Sequence, residues 1–350
     1  MITHEDKPHV RRACVLAWGG AAVSWELSSP GPLGPSLATC AAFLLLATGC
    51  ALHIRKRLLA ELRRSQETTG AVQRAVLRPL PARMEGLALA AAQLSVGGDL
   101  YEALPTPFGV RVVIGDARGH GPGALGVAAA VLGSFREAAY DEATLGGVLR
   151  RMERGLARYV RGEPEEFVTV LVLQIAPDGS LIALNCGHPW PYVLRWLPVA
   201  VPVPVAERCG AVSRGSAPDP APRTPAGLEF GSGVAGLACV PRVGLEVLGG
   251  ETLPPLGVVP LPRGLVARGC GRLAPGEALF LHTDGVADAR DRAGRFFPLA
   301  GAVTEAAAAA ALTPARLVAG VHAALLRHTG GRLVDDVALL VLRNDRFGRA

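Results

Sequence analysis

The sequence predicts an α+β fold built from layered sheets, and two observations carry that expectation. From Leu87 onward, apolar runs of strand length alternate with alanine-rich stretches of helical spacing. Inside the run from Phe167 to Gly187, Pro177 to Ser180 reads as a hairpin turn, so the strands on either side pair antiparallel.

Taken in chain order, the first expected element is a transmembrane helical hairpin within Met1 to Arg57. Ser36 to Ile54 contains no charged residue, and a bilayer core needs about 20 helical residues. Ala13 to Leu27 is shorter and carries Glu26, while "SSPGPLGP" after it is full of helix breakers and reads as a tight external turn. The expected helices run from Ala13 to Ser29 and from Ser36 to Ile54. Arg11 and Arg12 precede the first, and Arg55, Lys56 and Arg57 follow the second. Positive residues stay on the cytoplasmic side, so the localisation expected is the cell membrane with the rest of the chain in the cytoplasm. A cleaved signal peptide ending near "AAVSW" is the alternative, and it leaves the second segment as an anchor.

Leu58 to Pro81 reads as a helical linker. Leu58, Leu59, Leu62, Val72, Ala75 and Val76 recur at helical spacing, and Pro79 and Pro81 end the pattern. The stripe is too short to commit to a coiled coil, but it suits pairing with a second copy of the chain in a homodimer.

A catalytic domain is expected from Ala82 to Asp345. Phe108–Asp116, Phe167–Gly187 and Asp336–Arg343 read as strands. Gly123–Asp141, Leu145–Arg161, Leu299–Ala311 and Pro314–Thr329 read as helices. Between Leu197 and Gly250 lies a long stretch rich in proline and small residues, which suits a flexible surface insertion.

Composition removes several function classes. The formal net charge is +6, almost all of it from arginine, since lysine occurs only as Lys7 and Lys56. The charge is spread out with no aromatic interleaving, which argues against a nucleic-acid surface. The seven cysteines include no C-x-x-C pair, so neither a zinc site nor a disulfide framework is expected. Cys186 reads as a small buried filler rather than a nucleophile.

What remains is a set of carboxylates at the ends of apolar runs. Asp99 lies in "VGGDLYEAL", Asp116 in "VIGDARGHG", Asp284 in "LHTDGVADARD", and Asp335 and Asp336 open "DDVALLVLR". One aspartate after a strand is usually a turn former. Several of the same design can converge at one rim, where like charges repel and call for a cation. Oxygen-only ligands suit Mg²⁺ or Mn²⁺. Two such ions about 3.5–4 Å apart polarise a phosphoryl group and acidify a water. Neither G-x-S-x-G nor a phosphate-binding G-x-x-x-x-G-K-[ST] loop is present.

In order, "VGGDLYEAL", "VIGDARGHG", "NCGHPWPYVL", "LPPLGVV", "LHTDGVADARD" and "DDVALLVLR" resemble the SpoIIE-like branch of the PP2C-type (PPM) metal-dependent protein serine/threonine phosphatases. The resemblance runs from Val72 to Arg343. It implies a β-sandwich of two antiparallel sheets flanked by helices, and removal of phosphate from phosphoserine or phosphothreonine with two Mn²⁺ or Mg²⁺ ions. It implies that Asp99, Asp116, Asp284 and Asp335 are the catalytic, metal-binding acids, with Ala117 offering a backbone carbonyl. Asp336, Gly98, Gly119, His120 and Gly285 take supporting roles. Glu102 stands where many relatives have Asp, and Asp288 where many have Glu. His188 and Asn185 shape the edge of the site, and His282 reads as a packed strand residue. The substrate implied is a phosphorylated anti-anti-sigma regulator of the STAS type. The alternative from another class is a catalytically inactive docking module in the same partner-switching pathway. A GGDEF-type cyclase is disfavoured because Leu100 and Tyr101 follow "GGD" where Glu-Phe is needed.

Overall fold

The computed structural model describes residues 20, 24, 44–61, 70, 73, 76–94, 97–161, 166–202, 237–308, 313–333 and 335–346. The chain divides into two units, Met1–Ala71 and Val72–Ala350.

In the first unit, residues 44–61 are helical. Leu44, Leu45, Leu46, Leu52, Ile54, Leu58 and Leu59 are exposed along that helix. Among the described residues no helix is long and apolar enough to cross a membrane. The expected transmembrane hairpin therefore has no support from the described structure. The second half of the helix is interrupted by Arg55, Lys56, Arg57 and Glu61, and residues 36–43, which would complete a span, lie outside the described residues. So does the first arm, apart from Gly20 and Ser24.

Among the described residues, the named elements of the second unit are eleven strands and five helices. The strands are β1 (Arg83–Met84), β2 (Leu87–Leu94), β3 (Gly97–Thr106), β4 (Gly109–His120), β5 (Val168–Ile175), β6 (Ser180–Cys186), β7 (Tyr192–Pro202), β8 (Leu237–Val247), β9 (Arg268–Arg272), β10 (Ala278–His282) and β11 (Val337–Asn344). The helices are α1 (Pro122–Asp141), α2 (Leu145–Val160), α3 (Asp284–Ala287), α4 (Leu299–Ala308) and α5 (Pro314–Thr329). One sheet has the order β1-β2-β11-β10-β7-β8 and the other β3-β4-β5-β6-β9. Every pairing between these strands is antiparallel.

The alternation of side chains along a strand explains the layering. In β11, Ala338, Leu340 and Leu342 enter a core shared with the other sheet, while Val337, Leu339 and Val341 enter a second core with α4 and α5. In β10, Leu279 and Leu281 point the first way, and Ala278 and Phe280 the second. Both faces are covered, so these strands read as unbroken apolar runs. On the far side, Val131, Leu132 and Phe135 of α1 and Leu145, Leu149 and Met152 of α2 pack on the five-stranded sheet. The result is helices, sheet, sheet, helices, with the expected α+β sandwich of two antiparallel sheets.

Local chemistry fixes the helix ends. Thr144 caps α2 by accepting from the Gly147 amide at 3.1 Å, and Thr313 caps α5 by accepting from Arg316 at 3.3 Å. No side chain caps the start of α1. Its C-terminal end is held by Arg111 of β4, which is fully buried. Arg111 donates Nη1 to the Ala139 carbonyl at 2.9 Å and the Glu142 carbonyl at 2.6 Å, and Nη2 to the Ala143 carbonyl at 3.1 Å. Its Nε donates to Gln174 at 2.9 Å, and Phe108 lies 4.4 Å from the guanidinium carbon. A cation at a helix C-terminus meets unpaired carbonyls and the negative end of the helix dipole.

Two differences from the sequence reading matter. Asp116 was expected to end its strand, yet β4 runs on to His120, with Gly119 at φ 89° and Gly121 at φ 82° making the turn into α1. The flanks of the expected insertion are also strand: β7 and β8 stay in register from Tyr192 opposite Val247 to Pro202 opposite Leu237. Residues 203–236 lie outside the described residues.

Candidate active site

The site is built on the β3–β4 hairpin. Asp99 and Asp116 are direct partners across it, just past a register shift between Gly97 and Asp99. Opposed like charges on paired strands repel, so other parts of the fold must hold this pair together.

Two groups from the other sheet do so. Thr283, at the end of β10, donates its hydroxyl to Asp99 Oδ2 at 2.9 Å. Asp336, at the start of β11, accepts the Gly98 amide on Oδ2 at 2.9 Å. The approach is close enough to require glycine. A Cβ on Gly97 would lie 1.2 Å from Asp336 Oδ2. One on Gly98 would lie 2.2 Å from the Ala117 carbonyl oxygen and 2.9 Å from Asp116 Oδ1. Gly285 faces the Asp336 backbone in the same way, with its Cβ position 1.9 Å from that carbonyl oxygen.

The remaining acids complete the cluster. Asp284 opens α3 and is exposed, its Oδ1 accepting the Gly285 amide at 2.9 Å. Asp335 is exposed and accepts the Asp336 amide at 2.9 Å, while Asp336 itself is buried. Charge repulsion shows that these groups share one field. Burial pushes the Asp99 carboxyl well above its usual range, and Asp116, Asp336 and Asp284 push it further against the opposing Thr283 hydrogen bond. Burial, then Asp284, Asp335 and Asp336, raises Asp116 to about 7. Asp284, although exposed at the rim, is raised by partial desolvation of its carboxyl and then by Asp335.

The structure thus brings Asp99, Asp116, Asp284, Asp335 and Asp336 together, with Ala117, Gly98 and Gly285 packed among them. Gly119 lies at the exposed end of β4, and His120 is the backbone partner of Gly97. Among the described residues, no three aspartate, glutamate, histidine or cysteine side chains stand close enough to hold an ion as they are.

Other candidates fall outside this cluster. Glu102 is buried and bound by Arg136 of α1, whose Nε and Nη2 reach Glu102 Oε2 at 2.7 and 2.5 Å. Arg136 also donates to the Val76 carbonyl at 2.7 Å. Asp288 is an exposed residue closing α3. His188 is buried, and burial followed by His282 lowers it to about 3, so it is neutral at physiological pH. Asn185 holds its backbone by donating to the His188 carbonyl at 2.8 Å and accepting the His188 amide at 2.9 Å. The His188 ring lies 3.2 Å from the Thr169 hydroxyl, and Thr169 pairs with Asp116 across β4 and β5. His282 is buried and stacked on Tyr192 at 5.8 Å. Cys186 is buried and its thiol is pushed up to about 12, first by burial, so it is no thiolate nucleophile.

Sequence reasoning missed Thr283. The residue before Asp284 in "LHTDGVADARD" carried no charge and no ligand spacing, so nothing in the pattern marked it.

Comparison with known proteins places this arrangement. The sequence profile of Stage II sporulation protein E (SpoIIE) matches residues 106–204 and 240–345. The SiaA-PP2C domain of Pseudomonas aeruginosa is similar in fold, with a TM-score of 0.56 and 16% identity over 82% of this chain and 98% of that one. So are the RsbU and RsbW domains of a Mycobacterium tuberculosis protein, with a TM-score of 0.50 and 21% identity over 74% of this chain and 61% of that one. No curated protein gives a significant match. Since the profile covers more than half of the chain and all of the clustered acids except Asp99 fall inside it, the chain belongs to the SpoIIE family, among the PP2C-type protein serine/threonine phosphatases.

Proposed function

We propose that this chain is an active, metal-dependent phosphatase of phosphoserine or phosphothreonine, acting on a STAS-type anti-anti-sigma regulator. One observation carries the catalytic part of this reading. Five aspartates, two on the β3–β4 hairpin, one opening α3 and two leading into β11, are gathered at one place, where Asp116 is driven up to about 7 by burial and by its acidic neighbours. Gathering like charges destabilises a fold unless a ligand repays it.

The donor set fits a hard divalent cation. It is all oxygen, and the Gly98 gap brings the Ala117 carbonyl beside the Asp116 carboxylate. Asp99, Asp116, Asp284 and Asp335, with the Ala117 carbonyl, would hold Mn²⁺ or Mg²⁺. Such ions supply positive charge for the phosphoryl oxygens and an acidified water as the attacking group. The chain's own part is to orient and to keep charge in place. The β3–β4 ladder fixes Asp99 against Asp116, and Thr283 and Asp336 fix the β3 side of that pair from the other sheet. The exposed Asp284 and Asp335 leave the rim open to a phosphoprotein.

The STAS-type substrate rests on family membership. Attachment to a membrane through residues 13–29 and 36–54 is part of the same proposal, supported by the uncharged run from Ser36 to Ile54 and its flanking arginines. Fractionation of cells expressing the full chain tests that attachment.

The test of activity is p-nitrophenyl phosphate turnover by the full chain with Mn²⁺, with EDTA, and with Asp116→Ala. Turnover that needs metal and falls by at least about 100-fold in the variant is expected. A phosphorylated STAS domain then tests the substrate. A folded protein with neither turnover nor Mn²⁺ binding would refute the reading and leave a docking module.

A further inference from the structure

We infer that Thr283 is a positioning residue for the metal centre, acting by aiming the Asp99 carboxylate. This rests on the metal-dependent reading above.

Asp99 is 1% exposed, so bulk water does not orient its carboxylate. Its cross-strand partner is Asp116, which repels it. The Thr283 hydroxyl, donated to Oδ2 at 2.9 Å, is the side-chain contact that fixes the orientation of this buried carboxylate from the other sheet.

Thr283 can do this because its own position is fixed on both sides. Its side chain is fully buried. Its hydroxyl oxygen accepts the Ala338 amide of β11 at 2.9 Å. Its backbone amide donates to the Ala338 carbonyl at 3.2 Å. A hydroxyl carries one proton. With the Ala338 amide on the oxygen's lone pair, that single proton is committed to Asp99. The β10–β11 ladder of one sheet thereby sets the rotamer of an acid on a strand of the other. A group bonded to a metal ligand typically changes metal affinity by about 10- to 100-fold when removed.

Thr283→Val and Thr283→Ser separate this role from a structural one. Valine keeps the branched shape and deletes the hydroxyl, whereas serine keeps the hydroxyl. Mn²⁺ affinity of the full chain is measured by calorimetric titration, with a circular-dichroism melt in EDTA to establish that each variant is folded. Thr283→Ala replaces Thr283→Val if valine does not fold. The expected result is affinity about 10- to 100-fold weaker in Thr283→Val and within about threefold of wild type in Thr283→Ser. Wild-type affinity in Thr283→Val, or equal losses in valine and serine, would overturn this inference alone. Failure of the wild-type chain to bind Mn²⁺ would overturn the metal centre and this inference with it.

Discussion

Gly98→Ala adds one methyl group where β3 meets the backbone of β4 beside Asp116. Its Cβ would sit 2.2 Å from the Ala117 carbonyl oxygen, whereas ordinary contact begins near 3.4 Å. The obstacle is backbone, so no side-chain rotation relieves it. The strands β3 and β4 must part by about 1 Å beside Asp116, and a misplacement of that size costs about 100-fold in rate. That is about 2.7 kcal/mol of transition-state stabilisation. The assays are kcat/KM on p-nitrophenyl phosphate in saturating Mn²⁺, Mn²⁺ affinity by titration, and the thermal melt in EDTA. Gly133→Ala is the control, because it makes the same chemical change inside α1 with nothing within 4 Å of the new Cβ. It should leave turnover unchanged and stabilise the helix by about 0.5–1 kcal/mol. Turnover and affinity of Gly98→Ala both within threefold of wild type would refute the claim that this gap sets the metal geometry.

Stability without metal should fall as pH rises. Asp116 is raised from 3.8 to about 7 in the fold, so between those values the folded chain binds more protons than the unfolded one, and each pH increment favours unfolding. The melting temperature in EDTA should therefore drop between pH 5 and pH 7.5, and Mn²⁺ should restore it; a rising or flat profile would contradict the clustering of these acids. Arg111→Met deletes the cation that closes the end of α1 and should cost about 2–4 kcal/mol in urea unfolding, with a loss below about 1 kcal/mol counting against it. Glu102→Gln weakens the bond to Arg136 and should lower stability by about 1–3 kcal/mol while leaving Mn²⁺ affinity within threefold, which a metal-ligating Glu102 would not allow.

The sequence made the acids legible and left their supports hidden. Asp99, Asp116, Asp284 and Asp335 stood out because charge at the end of an apolar run is locally anomalous. Thr283 is anomalous nowhere, since a buried threonine beside a strand end is ordinary until its hydroxyl is seen on Asp99. Glu102 was ambiguous because spacing along β3 cannot say that Arg136, 34 residues later, faces it. The helices Leu145–Val160 and Pro314–Thr329 were legible to within a residue, because Thr144 and Thr313 cap them and a proline or an apolar stripe follows. The end of β4 was misread because glycines suggest a turn, whereas the ladder continues to His120 before the chain turns at Gly121. In β7 and β8, the proline-rich composition of the whole stretch masked two flanks that pair in register.

Asp99 belongs to one sheet, but its carboxylate is held by Thr283 and the preceding amide by Asp336, both from the other. Metal affinity should therefore depend on how the two sheets are packed, and not on global stability as such. Leu340 and Leu325 separate these effects, because both are fully buried leucines in different cores. Leu340 lies on β11 in the core between the sheets, two residues from Ala338, whereas Leu325 lies on α5 in the core outside them. Truncation of either to alanine should cost about 2–5 kcal/mol. Leu340→Ala removes packing that sets the separation of β11 from β3, so it should also weaken Mn²⁺ binding several-fold under conditions where the variant is fully folded. Leu325→Ala should leave that affinity within twofold. Equal effects of the two truncations on Mn²⁺ binding would show that the site senses only overall stability, and the inter-sheet clamp would lose its role.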